Sequence, residues 1–210
     1  MRNWKTFISS LDGMTNLQII DACRAAGLEQ VSKEAKYQSR IVFALNNKWV
    51  LKVSVSMVGM MQTNNELMMA DYLDSVPNHK RHFAKVHSYS YDSGGRFIIM
   101  QRLNTSAPAL KLCKQVAKNA WSHRADDDRT GLVKVVLKLD QYLGLQNIND
   151  LRSDGLRNYG VDDKGRVRVL DFGASMRVYG VYAKAIKARR ENPRTRQELK
   201  AEQDVLASEF

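Results

Sequence analysis

The first apolar stripe along the chain sets Leu17, Ile19, Ile20, Ala22, Cys23 and Ala26 at helical spacing, and Gly27 follows it. Residues 15–27 therefore predict an N-terminal helix with Gly27 as its C-cap. At Arg40 the texture changes to IVFAL, a polar NNK, then WVLKV. Two β-rich runs around a short polar turn predict a hairpin over residues 40–55.

Helical spacing returns at Leu67, Ala70 and Leu73, preceded by Thr63 and Glu66 in the order of a capping box. A helix starting near Thr63 is the expectation. HFAKVHSYSY, the turn DSGG and RFIIMQRL read as a second hairpin, whose last strand is apolar enough to be central in its sheet. NTSAP, residues 104–108, carries a proline and reads as a linker.

Beyond the linker, ALKLCKQVAKNAW and LVKVVLKLDQYLG predict helices separated by the charged loop SHRADDDRTG. VDDKGRVRVLDFG predicts a third hairpin, turning at Asp163, Lys164 and Gly165. Basic helical material from Val178 is broken at Asn192 and Pro193 and restarts at a Thr195–Glu198 capping box. The succession predicts an α+β chain in two parts: residues 1–103, mostly antiparallel sheet with helices, and residues 104–210, mostly helical.

Composition narrows the class. Charged residues at 26% and hydrophobic ones at 44% are ordinary for a globular fold. No apolar run approaches the roughly 18 residues a membrane helix needs, so a cytoplasmic protein without membrane contact is expected. Two cysteines, Cys23 and Cys113, far apart in sequence, predict buried thiols and not a disulfide framework or a zinc site. The net charge of +11 attracts polyanions, nucleotides and nucleic acids among them, without naming one.

The pieces able to do chemistry come next. Lys52 lies within the apolar VLKV, where an ammonium is costly to bury unless an anion such as Glu66 answers it; the competing explanation is that it faces water. Asp171 ends an apolar strand in VLDFGAS, and Gly173 permits a sharp reversal after it. Asn158, on the other side of the predicted hairpin, can converge with Asp171 on one cation as an oxygen ligand. Phosphoryl transfer asks for cations on phosphates, oxygen ligands on a metal and a base at the attacking hydroxyl, and the chain supplies such groups in order.

Over about residues 39–178 these pieces resemble the protein-kinase-like superfamily, which includes small-molecule kinases of the aminoglycoside phosphotransferase type. VLK resembles the strand whose lysine, here Lys52, binds the α- and β-phosphates, and NNELMMADYL resembles the next helix, whose glutamate, here Glu66, pairs with that lysine. FIIMQRL resembles the strand entering the hinge, which would put Met100 to Leu103, Arg102 included, beside the adenine. DLR, Asn158 and DFG resemble the catalytic loop and metal motif. The resemblance implies a two-lobe fold with a reduced, mostly helical C-terminal lobe, ATP and Mg2+ as cofactors, and Asn158 with Asp171 on the metal.

Departures from the pattern bear on activity. In HRDxxxxN the base stands closer to the asparagine than Asp150 does here, and farther than Asp154 does. Asp150 is favoured because DLR matches, with Asp154 as the alternative base. Ile148 and Asn149 replace the histidine and arginine of HRD. YQSRIVF lacks the glycines of the phosphate-covering loop, where Ser39 and Arg40 either bind phosphate or merely begin a strand.

With 37 residues after Gly173, no APE motif is expected, and such brevity resembles small bacteriophage kinase-like proteins, implying a bacterial host's cytoplasm. The resemblance implies an ATP-dependent phosphotransferase, a serine/threonine protein kinase first. The alternatives are a pseudokinase that docks on a protein partner, or a basic nucleic-acid-binding protein using Lys184, Lys187, Arg189 and Arg190. Oligomeric state is not legible.

Overall fold

A computed structural model describes residues 3–32, 38–122 and 158–173. The fold is mixed α+β: helices α1 (Trp4–Ser9) and α2 (Asn16–Ala25), strands β1 (Arg40–Ala44) and β2 (Trp49–Ser54), helices α3 (Met57–Ser75) and α4 (Pro77–Lys80), strand β3 (Phe97–Gln101), helix α5 (Ala107–Ser122), and strands β4 (Tyr159–Val161) and β5 (Val167–Val169). Among the described residues, 3–64 and 86–100 form one compact unit, and 65–85, 101–122 and 158–173 form another. No described helix is long and apolar enough to cross a membrane.

The first unit is built on a three-stranded antiparallel sheet in the order β1-β2-β3. The expected hairpin is present: Ile41 faces Val53 and Phe43 faces Leu51, and the turn is closed by Asn46, whose Oδ1 accepts the N–H groups of Lys48 and Trp49. Phe43, Leu45, Leu51, Val53, Phe97 and Ile99 point to one face and pack with Ile8, Leu11, Ile19, Ile20 and Cys23 of the N-terminal segment. Each such side chain, buried fully, contributes about 2 kcal/mol of apolar transfer energy. Burial also pushes the Cys23 thiol up to about 12, which leaves it neutral and inert.

α2 begins at a capping box between Thr15 and Gln18, and Gly27 beyond it has φ of +68°, the left-handed turn that ends helices. α1 adds a short apolar turn that the periodicity did not single out. It carries Trp4, which meets His87 edge-on at 5.2 Å, while Trp49 meets the same ring at 5.1 Å from β2.

Two sequence expectations need correction here. α3 starts at Met57, not near Thr63, because Ser56 Oγ accepts the Gly59 N–H and opens the helix six residues earlier. Thr63 is interior, and its hydroxyl is spent on Ser54 instead of a cap.

The second correction concerns residues 82–103. Ser88–Ser93 is a 3-10 helix and not a strand, so β3 is an outer one of the three strands and has only a short bridge at Val86 on its other side. The expected pairing survives only as one antiparallel bridge, Val86 to Met100, with the His87 N–H on the Ile99 carbonyl at 2.9 Å and the Gln101 N–H on the Lys85 carbonyl at 2.7 Å. Beyond it serine side chains serve β3, Ser90 Oγ accepting the Ile99 N–H at 2.8 Å and Ser93 Oγ donating to the Phe97 carbonyl at 2.7 Å. Alternating serine and tyrosine imitates a strand in sequence while satisfying the strand edge through hydroxyls.

In the second unit, β4 and β5 form the expected hairpin, with Tyr159 opposite Val169 and Val161 opposite Val167. α5 packs on both strands, burying Ala109 and Cys113. Asn104, expected in a linker, is bonded into the sheet: its N–H donates to the Val161 carbonyl at 2.8 Å and its carbonyl accepts the Val161 N–H at 3.0 Å. The predicted helix at 132–144, the loop holding Asp150 and Asp154, and the basic C-terminal helices lie outside the described residues.

Candidate functional site

The hairpin register decides what the sheet of the first unit carries on each side. Arg40 faces Ser54 and Val42 faces Lys52, so Arg40, Lys52 and Ser54 share the face opposite the apolar core. Met100 lies on that face too, since its neighbours Phe97 and Ile99 alternate into the core. Lys52 is only 5% exposed, which overturns the alternative that it faces water. A cation so buried on an inner strand costs several kcal/mol in lost hydration unless polar groups compensate it.

Polar groups fasten the start of α3 to this sheet. Ser54 Oγ donates to the Gly95 carbonyl at 2.9 Å, so Thr63 is the donor in the 3.2 Å contact between their hydroxyls. Ser39 Oγ donates to Gln62 Oε1 at 2.6 Å. A phosphate oxygen seeking the Ser39 proton would have to displace Gln62. Gly59 sits where the helix meets the strand, and a Cβ there would land on the Ser39 carbonyl oxygen.

The second unit gathers the groups near DFG. The Leu170 N–H donates to the Asn158 carbonyl at 2.8 Å, one step beyond the last pair of the β4–β5 ladder. Asn158 thus lies beside the strand end from which Asp171 follows, and both are partly exposed.

After Asp171 the chain is gripped by α3. Glu66, fully buried, accepts the Phe172 N–H through Oε1 at 3.4 Å, and Asn65 Nδ2 donates to the Gly173 carbonyl at 3.0 Å. The Phe172 ring is 1% exposed and stands edge-on to Phe83, with centroids 5.2 Å apart. Sequence reasoning singled out Glu66 for Lys52; the contact with Phe172, 106 residues away, had no local signal. Arg102 follows β3 in this unit, half-buried.

A buried ion pair stabilises the hairpin beneath these groups. Asp162 Oδ2 accepts from Arg168 Nε at 2.7 Å and Arg166 Nε at 2.9 Å, while Oδ1 accepts the N–H groups of Lys164 and Arg166. Arg168 also donates to the Phe83 carbonyl at 3.0 Å, tying the hairpin to residues 82–84. Burial alone would raise the Asp162 carboxyl, but the Arg166 N–H, the two guanidinium groups and the Lys164 N–H outweigh it and hold it below the usual carboxylate range. DDKGRVR reads in sequence as an ordinary turn, which concealed the pair.

Among the described residues no three His, Cys, Asp or Glu side chains come together as a metal cage. At the end of the β4–β5 hairpin the chain offers one carboxylate, that of Asp171, and one carboxamide, that of Asn158. That sparse set of hard oxygens fits Mg2+, which keeps several waters and completes its shell from substrate phosphates. Compared with known proteins, the chain matches no protein-family model and no curated protein, so its own geometry is the ground for a functional reading.

Proposed function

We propose that the chain is an ATP-dependent phosphotransferase of compact protein-kinase-like type, acting on a serine or threonine hydroxyl of a protein. The observation that carries this reading is the grip of α3 on the DFG segment, through Glu66 on the Phe172 N–H and Asn65 on the Gly173 carbonyl. A buried glutamate bonded to the residue after a strand-end aspartate links the two sequence pieces that the phosphotransfer reading requires. The burial of Lys52 on the sheet face opposite the apolar core supports it further.

In this reading Lys52 and Arg40 offset phosphate charge, while Met100 and Arg102 border the base. Asn158 and Asp171 hold Mg2+. Bound Mg2+ supplies neutralisation of the phosphate charge that builds during transfer. Asp150, or Asp154 in its place, accepts the proton of the attacking hydroxyl.

The test uses the full-length chain with γ-labelled ATP and Mg2+, comparing wild type with Asp171→Ala. Label transferred to protein by the wild type and lost in the variant is the expected result; equal incorporation in both defeats the enzyme reading. A thermal shift with ATP checks binding independently, since ligand at 100 times Kd adds about 2.7 kcal/mol of stability.

A second reading, a pseudokinase docking on a protein partner, is favoured by one observation. The Ser39 hydroxyl is already committed to Gln62, in a segment without the usual phosphate-loop glycines. Mg2+-dependent nucleotide binding without any transfer would support it.

A further inference from the structure

We infer that Asn65 is a positioning residue for Asp171, setting the metal affinity of the site; the inference rests on the phosphotransferase reading above. Asp171 is partly exposed, yet the backbone on both sides of it is anchored. Before it, the Leu170 N–H is held by the Asn158 carbonyl at 2.8 Å. After it, the Phe172 N–H is held by Glu66 and the Gly173 carbonyl by Asn65 Nδ2 at 3.0 Å.

The two α3 contacts differ in strength. The Glu66 bond is long at 3.4 Å, near the outer limit for a hydrogen bond, whereas the Asn65 bond has ordinary length. Gly173 has no side chain with which to fix its own peptide, so its orientation depends on what holds its carbonyl. The Phe172 ring, lodged against Phe83, pins the chain between the two anchors. Asn65 adds a restraint at Gly173, and through it α3 sets the direction of the Asp171 carboxylate.

A restraint of this kind should act on the metal step and spare metal-free nucleotide. The experiment titrates Mg2+ into the full-length protein with ATP, reading binding by calorimetry, and repeats ATP binding in EDTA. It compares wild type, Asn65→Ala and Asn65→Asp. The aspartate keeps the shape but turns the donor into an acceptor facing the Gly173 carbonyl.

Loss of one such bond is expected to raise the Mg2+ requirement about fivefold in Asn65→Ala, and further in Asn65→Asp, with ATP affinity in EDTA unchanged. Faster hydrogen exchange at the Phe172 amide in both variants would support the same conclusion without ligand. An unchanged Mg2+ requirement, or an equal loss with and without metal, overturns the positioning role while leaving the phosphotransferase reading intact. Absence of Mg2+-dependent binding by the wild type overturns both.

Discussion

Replacing Asp162 by asparagine tests whether the β4–β5 hairpin depends on its buried ion pair. The Asp162 side chain has no exposed surface and that of Arg168 is 4% exposed. Oδ1 accepts two backbone N–H groups, and Oδ2 accepts donors from both arginines. Whichever oxygen becomes the amide nitrogen in Asp162→Asn, a donor then confronts donors, and the Arg168 charge stays buried without a carboxylate. Breaking such a pair costs about 3–5 kcal/mol, a large share of the roughly 5–15 kcal/mol that holds an ordinary protein folded.

The same variant predicts a pH signature. The folded carboxyl titrates below its free value of 3.8, so its contribution is complete above that value and is lost as pH falls through it toward the folded pKa. Between pH 7 and pH 3 the stability gap between wild type and Asp162→Asn should therefore narrow by about 1 kcal/mol, the worth of the 0.8 unit separating pH 3 from 3.8. Urea unfolding followed by far-ultraviolet circular dichroism at both pH values measures it. A gap below about 1 kcal/mol at pH 7, or one that does not narrow in acid, would refute the reasoning.

Two further outcomes follow from the first unit. Gly59→Ala places a methyl on the Ser39 carbonyl and should cost at least about 2 kcal/mol in urea unfolding, although alanine ordinarily favours a helix; a stabilised variant would contradict the close approach. Burial, with Lys5 adding to it, lowers the His87 pKa from 6.5, so the folded ring prefers to be neutral and accepts the Tyr89 N–H at Nδ1. Stability should then decline as pH falls below about 6.5, and His87→Leu should remove that slope in melting curves taken from pH 8 to 5.

How far the sequence was legible varied with how local the cause was. The β1–β2 hairpin could be read because alternating IVFAL and WVLKV flank NNK, and the Asn46 side chain closes that turn by itself. The start of α3 was misplaced because the Thr63–Glu66 pattern matches a cap while both side chains serve distant partners, Ser54 and Phe172. Residues 88–93 look like a strand until the serines are seen bonding the edge of β3. Lys52, Glu66, Asn158 and Asp171 stood out by type and order. Asn65 and the Asp162–Arg168 pair did not, because nothing beside them in the chain announces a partner.

The β4–β5 ladder makes the separation of Asn158 and Asp171 a matter of counting rungs. Inserting one residue into a single strand would slide the pairing by one and swap which side chains look inward, carrying Asn158 out of step with Leu170. Adding one residue to each strand, or altering only the tip at Asp163 and Lys164, would leave Asn158 opposite Leu170 at the open end, with Asp171 one residue beyond. Length variation is therefore tolerated in matched pairs or at the tip, and a lone insertion in either arm dismantles the alignment even where every functional residue is kept.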